Sequence, residues 1–364
     1  MKHVKKFAAL SLLIAAGMLS CSSSEPHPPI LGDLPIVPIH RPIVDAGRPI
    51  DASHPVVIDA TTDTSPDVYY DAALDTGLDT GPDTGLDSGF DATPDVVDAG
   101  LDASEDAMAD SAIPDNGIHY HGGAVYVNPM KVHLIWYGTW AQSQKDIITG
   151  FLTNLNQSDW FKMNDTYYNS AGEKVTSSIV IDGVTEDPTY SLGHALSEGS
   201  IQQLALNTLA DGGTFDSDKI YLVLGSGDVT QTMQGYSFCS SFCGWHYYMP
   251  NGPVSMKYSF VGNPTACLDS CAWQQAASPN GDVGVDGMLS VIAHELSEAA
   301  TDPNIDAWYD DATGMENADK CAWTFGNTYN VGDAGALANV NLNGKDYLIQ
   351  QNWVNANGGY CSLK

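Results

Sequence analysis

A long acidic stretch with nothing to bury removes most of the amino-terminal third of this chain from any folded core. Between Glu25 and Asp115 there are 20 acidic residues against two basic ones, Arg41 and Arg48, and the few apolar residues lack periodicity. Its first part, Pro28 to Pro49, is rich in proline and isoleucine. A later part repeats Asp-Thr-Gly and sets Asp75, Asp79, Asp83, Asp87, Asp91 and Asp95 four residues apart. Few aromatic side chains and many like charges leave too little burial to offset chain entropy, so this stretch is expected to be a disordered tether, extended by self-repulsion. A calcium loop needs acids at alternating positions and a closing bidentate glutamate, and the repeat offers neither. Folding is therefore expected in residues 116–364, a length ample for one core.

Ahead of the tether lies an export signal. Lys2, Lys5 and Lys6 form a positive start, and Phe7 to Met18 is apolar but too short to span a bilayer comfortably. The run ends in Leu19-Ser20-Cys21-Ser22, which resembles the lipobox of bacterial lipoproteins. That resemblance implies removal of residues 1–20, acylation of Cys21, and a lipid anchor that makes the membrane a partner. Ser22, rather than aspartate, after the cysteine implies the outer membrane where an envelope has two.

Cysteine placement separates the same two parts. Cys21 stands alone, whereas Cys239, Cys243, Cys267, Cys271, Cys321 and Cys361 fall late in the chain. An even set in an exported domain reads as disulfides, up to three, with the pairing left open. Structural zinc more often uses a two-residue spacing than the Cys-x-x-x-Cys found twice here. Residues 116–364 carry 25 acids against 9 lysines, within a chain of net charge −31. Such a surface repels nucleic acid, and no nucleic-acid partner is expected.

Within the folded part, Val132 to Tyr137 reads as a buried strand, with further strands at Ser178 to Ile181 and Ile220 to Leu224. Apolar spacing predicts helices over Ser143 to Phe161, Ser200 to Leu209 and Met288 to Ala300. Strands and helices that alternate first, followed by an irregular cysteine-rich half, indicate an α+β or α/β fold: one globular domain with a mixed sheet flanked by helices.

The chemistry concentrates in Ala293-His294-Glu295-Leu296-Ser297-Glu298, on a helix that Pro303 ends. His294 and Glu298 stand one turn apart on one face, so both can reach a common ion. In the zincin motif His-Glu-x-x-His the intervening glutamate acts as general base on metal-bound water. Glu295 holds that position here, and Glu298 replaces the second histidine with a carboxylate that zinc also accepts. A third ligand is sought in Glu316, with Asp302 as the alternative and Asp319 as the residue orienting a ligand. The blander possibility is a solvated helix face or a buried hydrogen-bonded cluster. His133 reads as a satisfied core histidine, and His246, beside Trp245, Tyr247 and Tyr248, as packing around a disulfide or a sugar-stacking surface.

Longer stretches resemble the Exordium, or phosphate-induced protein, family, best known from plants. They are His121-Gly122-Gly123, Leu134 to Trp140, Gln144-Lys145, Phe238 to Tyr247, and Ser278 to Met288 leading into the His294 helix and Ala307-Trp308-Tyr309. The resemblance spans most of 119–364. It implies a secreted, wall-associated protein with no settled enzymatic activity, and a helix in which Glu298 is the usual residue. It also implies a continuation Glu-Ile-Ala-Asp-x-Cys, matched at Glu316, Asp319 and Cys321, with Asn317 in place of isoleucine. The expectation is a lipid-anchored, zincin-like hydrolase. It would hold zinc through His294, Glu298 and Glu316, with Glu295 as base, and act on an extracellular peptide or cell-wall polymer. The alternative is a non-catalytic wall-binding or adhesion module whose cluster is structural.

Overall fold

The structure is a computed structural model that describes residues 117–364 apart from 210–214, 251, 253 and 334. The export signal, Cys21 and the acidic tether lie outside the described residues. The central sheet contains β1 (Met130–Tyr137), β2 (Ile179–Asp187), β3 (Lys219–Gly225), β4 (Gly244–Met249) and β5 (Met256–Gly262). Their spatial order is β2-β1-β3-β5-β4; neighbours run parallel except for β4, antiparallel to β5 at one edge.

Composition follows position in this sheet. β3 and β5 lie inside it and are buried almost end to end, as strands covered on both faces must be. β2 forms the other edge and alternates, leaving Val180 and Val184 exposed. Its register against β1 shifts at Val132/His133, where Gly183 leaves room for the imidazole. His133 is half-buried, not a core residue, with Nε2 2.9 Å from Thr185 Oγ1 on the neighbouring strand.

Three helices serve the sheet: α1 (Gln142–Leu155), α2 (Glu198–Asn207) and α3 (Val283–Thr301). The helix expected to reach Phe161 stops at Leu155, because Asn156 turns its side chain to accept the Ile179 N–H at 2.9 Å. Alternation along β4 defines the two faces. Gly244 faces α3, where a Cβ would lie 2.6 Å from Val291 Cγ1, whereas Tyr247 turns to Tyr258 and feels the charge of Glu198 at the start of α2. α3 begins at Asp282, whose side chain accepts the Val285 N–H, and it is buried without interruption from Val291 to Thr301. A helix apolar enough to be enclosed on all sides draws its few polar residues into the core, where each needs a partner.

Beyond α3 the chain is largely irregular, closed by two-stranded ribbons such as Asn352–Val354 with Tyr360–Ser362. The six cysteines pair as Cys239–Cys267, Cys243–Cys271 and Cys321–Cys361. The first two clamp the approach to β4 onto the short helix after β5, and the third ties the segment after α3 to the last ribbon. The result is one α+β domain with a mostly parallel sheet, several antiparallel ribbons and three disulfides.

Candidate metal centre

Three pieces of chain meet at the carboxyl half of α3. The helix brings His294, Glu295 and Glu298; the segment after the Trp308–Asp310 strand brings Glu316 and Asp319; β4 brings His246. All six are buried, from 0% exposure at His294 and Glu295 to 8% at Glu316.

Among the described residues these side chains form two groups of three able to hold a metal ion. His294, Glu298 and Asp319 make one, and His246, Glu298 and Glu316 the other; within each the ligand atoms lie within 4.8 Å of one another. In the first, His294 Nε2 is 3.0 Å from Glu298 Oε1 and 3.5 Å from Asp319 Oδ1. Despite that closeness, neither His294 Nε2 nor Asp319 Oδ1 lines up for a hydrogen bond. In the second, His246 Nε2 is 3.3 Å from Glu316 Oε2 and 3.7 Å from Glu298 Oε2. Glu298 therefore turns one oxygen to each imidazole.

The later segment is held firmly. The Asp319 N–H donates to Glu298 Oε1 at 3.1 Å, and the Glu316 N–H donates to Asp319 Oδ2 at 3.1 Å. Asn317, between them, donates from Nδ2 to Asn164 Oδ1 at 3.1 Å and to the Ser297 carbonyl at 3.3 Å. This buried polar network explains why an asparagine fits here: it fastens the Glu316 segment to α3, where isoleucine would offer only packing. Cys321 anchors the same segment to Cys361.

Charge in so dry a site is strongly coupled. Burial alone would lower the His294 pKa, but the charge of Glu298, close polar contact with Asp319 and Glu298, and the charge of Glu295 outweigh it and hold the imidazole well above its usual range. Burial, then the charge of Asp319, also raises the Glu298 pKa, to about 8, because carboxylates without water repel one another. A bound cation would reverse this and keep the acids ionised.

The positions of the expected ligands differ from the sequence reading in three respects. Glu316 sits with His246 and not with His294; Asp319, expected to orient a ligand, faces His294 directly. Asp302 closes the turn after α3, its Oδ1 accepting the Asp306 and Ala307 N–H groups at 2.6 Å each, and belongs to neither group. Glu295 is fully buried, and a Cβ at Gly244 would lie 3.0 Å from its Oε1, so its carboxylate faces the sheet backbone.

His246 is the residue that sequence reasoning misplaced. In the run Gly244-Trp245-His246-Tyr247, strand alternation puts His246 with Gly244 on the α3 side, away from the aromatic residues that drew attention. Gln350 had no sequence signal. Its Nε2 lies 3.1 Å from the Ala318 carbonyl, to which it donates, and 2.9 Å from His294 Nδ1. That amide nitrogen can donate to Nδ1 only when the ring is neutral with its proton on Nε2. A metal on Nε2 requires the amide oxygen to face Nδ1 instead.

These features define a class: an oxidised α+β domain with a buried histidine–carboxylate centre on the helix beside the antiparallel edge of its sheet. Residues 118–358 match the family model described as phosphate-induced protein 1 conserved region, and the chain belongs to that family. It is 34% identical over 282 residues to Protein EXORDIUM-like 3 of Arabidopsis thaliana, covering 67% of this chain and 82% of the relative. It is 31% identical over 276 residues to Protein PHOSPHATE-INDUCED 1 of Nicotiana tabacum, covering 65% and 85%.

Proposed function

We propose that this domain binds zinc between α3 and the following segment, through His294, Glu298 and Asp319, in an exported protein held at a membrane by lipid on Cys21. The observation that carries the metal reading is the convergence of three buried ligand atoms within 4.8 Å, with His294 Nε2 and Asp319 Oδ1 outside hydrogen-bonding alignment. Three protein ligands is the number that catalytic zinc sites use, whereas structural sites are closed by four. That count, with Glu295 next to His294, favours a hydrolase acting on an extracellular peptide or cell-wall polymer. Zinc would act as Lewis acid there, and Glu295 would take the proton of the attacking water.

A second reading is a non-catalytic wall-binding or adhesion domain whose cluster holds α3 to the carboxyl-terminal segment. It is favoured by the complete burial of Glu295 and by the orientation of the Gln350 amide. Elemental analysis of the disulfide-intact chain and a Glu295→Gln variant separate the two. On the hydrolase reading the variant keeps its zinc and loses at least about 100-fold in any turnover of peptide or wall polymer, the scale of general-base catalysis. Unchanged turnover in that variant would remove Glu295 from the chemistry, and zinc at background would remove the metal.

The anchor rests on Leu19-Ser20-Cys21-Ser22. Cys21→Ser is expected to abolish incorporation of labelled palmitate and release the protein from membranes. A variant that still takes up label would contradict the lipobox.

A further inference from the structure

We infer that the centre holds two divalent metal ions, bridged by Glu298, with His246 and Glu316 completing the second position. This builds on the zinc reading above. The first ion would use His294, Glu298 and Asp319; the second ligand set repeats it with one imidazole and two carboxylates. What makes them one unit is Glu298, whose Oε1 lies 3.0 Å from His294 Nε2 and whose Oε2 lies 3.7 Å from His246 Nε2. A carboxylate with each oxygen turned to a different imidazole is placed to bridge two ions, as carboxylates do in two-metal sites.

Charge supports the pairing. The centre buries four carboxylates, Glu295, Glu298, Glu316 and Asp319, with two imidazoles. Burying charge on that scale is expensive without counter-charge. Lys320, next to Asp319, is engaged with Asp310, and Lys257, opposite Tyr248 on the neighbouring strand, donates to the Ser217 carbonyl. Imidazoles that ligate metal are neutral, and four carboxylates then match the charge of two divalent cations. One ion in the first position would leave His246 facing Glu316 with charge still in excess.

The three sources of ligands also explain the architecture around them. β4 is the antiparallel edge strand, and the bridges Cys239–Cys267 and Cys243–Cys271 fix the approach to it. The Glu316 segment is fixed independently by Cys321–Cys361. A two-ion centre spans these elements and α3, whereas the first ion alone leaves the sheet out.

The test is a cobalt titration of the chelator-stripped full chain with its disulfides intact, followed by visible absorption and electron paramagnetic resonance. Wild type is expected to take two equivalents, the second attenuating the resonance of the first through the Glu298 bridge. His246→Gln is expected to take one equivalent, with an uncoupled signal that further cobalt leaves unchanged. Glu316→Gln, on the loop and not the sheet, gives the same readout if the β4 variant does not fold. Saturation of wild type at one equivalent, or two equivalents in both variants, overturns the second position and leaves the first standing. No bound cobalt in wild type overturns both.

Discussion

Glu298→Ala is expected to reduce metal affinity by at least about 100-fold, because it removes a ligand, a larger change than the second-shell losses of 10- to 100-fold. Glu298 is the one residue common to both ligand groups. Its loss leaves each imidazole with a single carboxylate, below the three ligands a zinc site uses. The effect extends to stability. If free zinc stands at about 1,000 times its dissociation constant, binding adds about 4 kcal/mol to folding, and a chelator removes that from wild type. With affinity down about 100-fold, the alanine variant should keep no more than about 1.4 kcal/mol of that chelator response, and thermal unfolding with and without chelator reads both. A metal-free cluster predicts the reverse pattern. Wild type would ignore the chelator, while the variant would lose about 3–5 kcal/mol by stranding His294 without its nearest buried carboxylate.

Removing the Cys321–Cys361 bridge as a double alanine variant is expected to lower stability by about 4 kcal/mol from loop closure alone. The closed loop spans a sequence separation of 40. A second effect follows from position. Cys321 lies two residues after Asp319, in the 3₁₀ turn whose Asp319 N–H donates to Glu298. Loosening that turn should weaken metal binding as well, so affinity and denaturation midpoint should fall together. The bridges Cys239–Cys267 and Cys243–Cys271 join the same two segments, each with a separation of 28. Loss of either leaves the other in place, and a smaller change is expected. Chemical denaturation compared across the three double variants tests the ranking; equal losses would argue against it.

The legible parts of the fold were those where local pattern and tertiary structure agree. β1 and β3 are apolar and β-branched because helices cover both faces, and Pro303 marks the end of α3, although that helix starts at Val283, five residues before the expected Met288, because the Asp282 side chain caps it there. β4 was missed because its aromatic residues, beside Cys243, read as packing around a disulfide. α1 came out too long because the apolar residues Trp160 and Phe161 continue its spacing, although Asn156 ends the helix through a bond to β2.

The site was legible to the same depth. His294 and Glu298 share a helix face, and one turn of helix guarantees their meeting whatever the rest does. The residues that join from elsewhere are set by long-range packing. Whether Glu316 or Asp319 reaches His294 depends on how the Asn317 network and the Cys321 bridge seat the segment, and neither leaves a periodic trace. Asp302 continued the helical row on paper, but the chain leaves the helix there and its carboxylate closes the next turn.

The most direct test of a metal between α3 and the following segment is anomalous scattering from a crystal of the domain, recorded on both sides of the zinc absorption edge. A peak bounded by His294 Nε2, Glu298 Oε1 and Asp319 Oδ1, present only above the edge, is the result this account predicts. No peak there, with the imidazole hydrogen-bonded straight to a carboxylate, would contradict it.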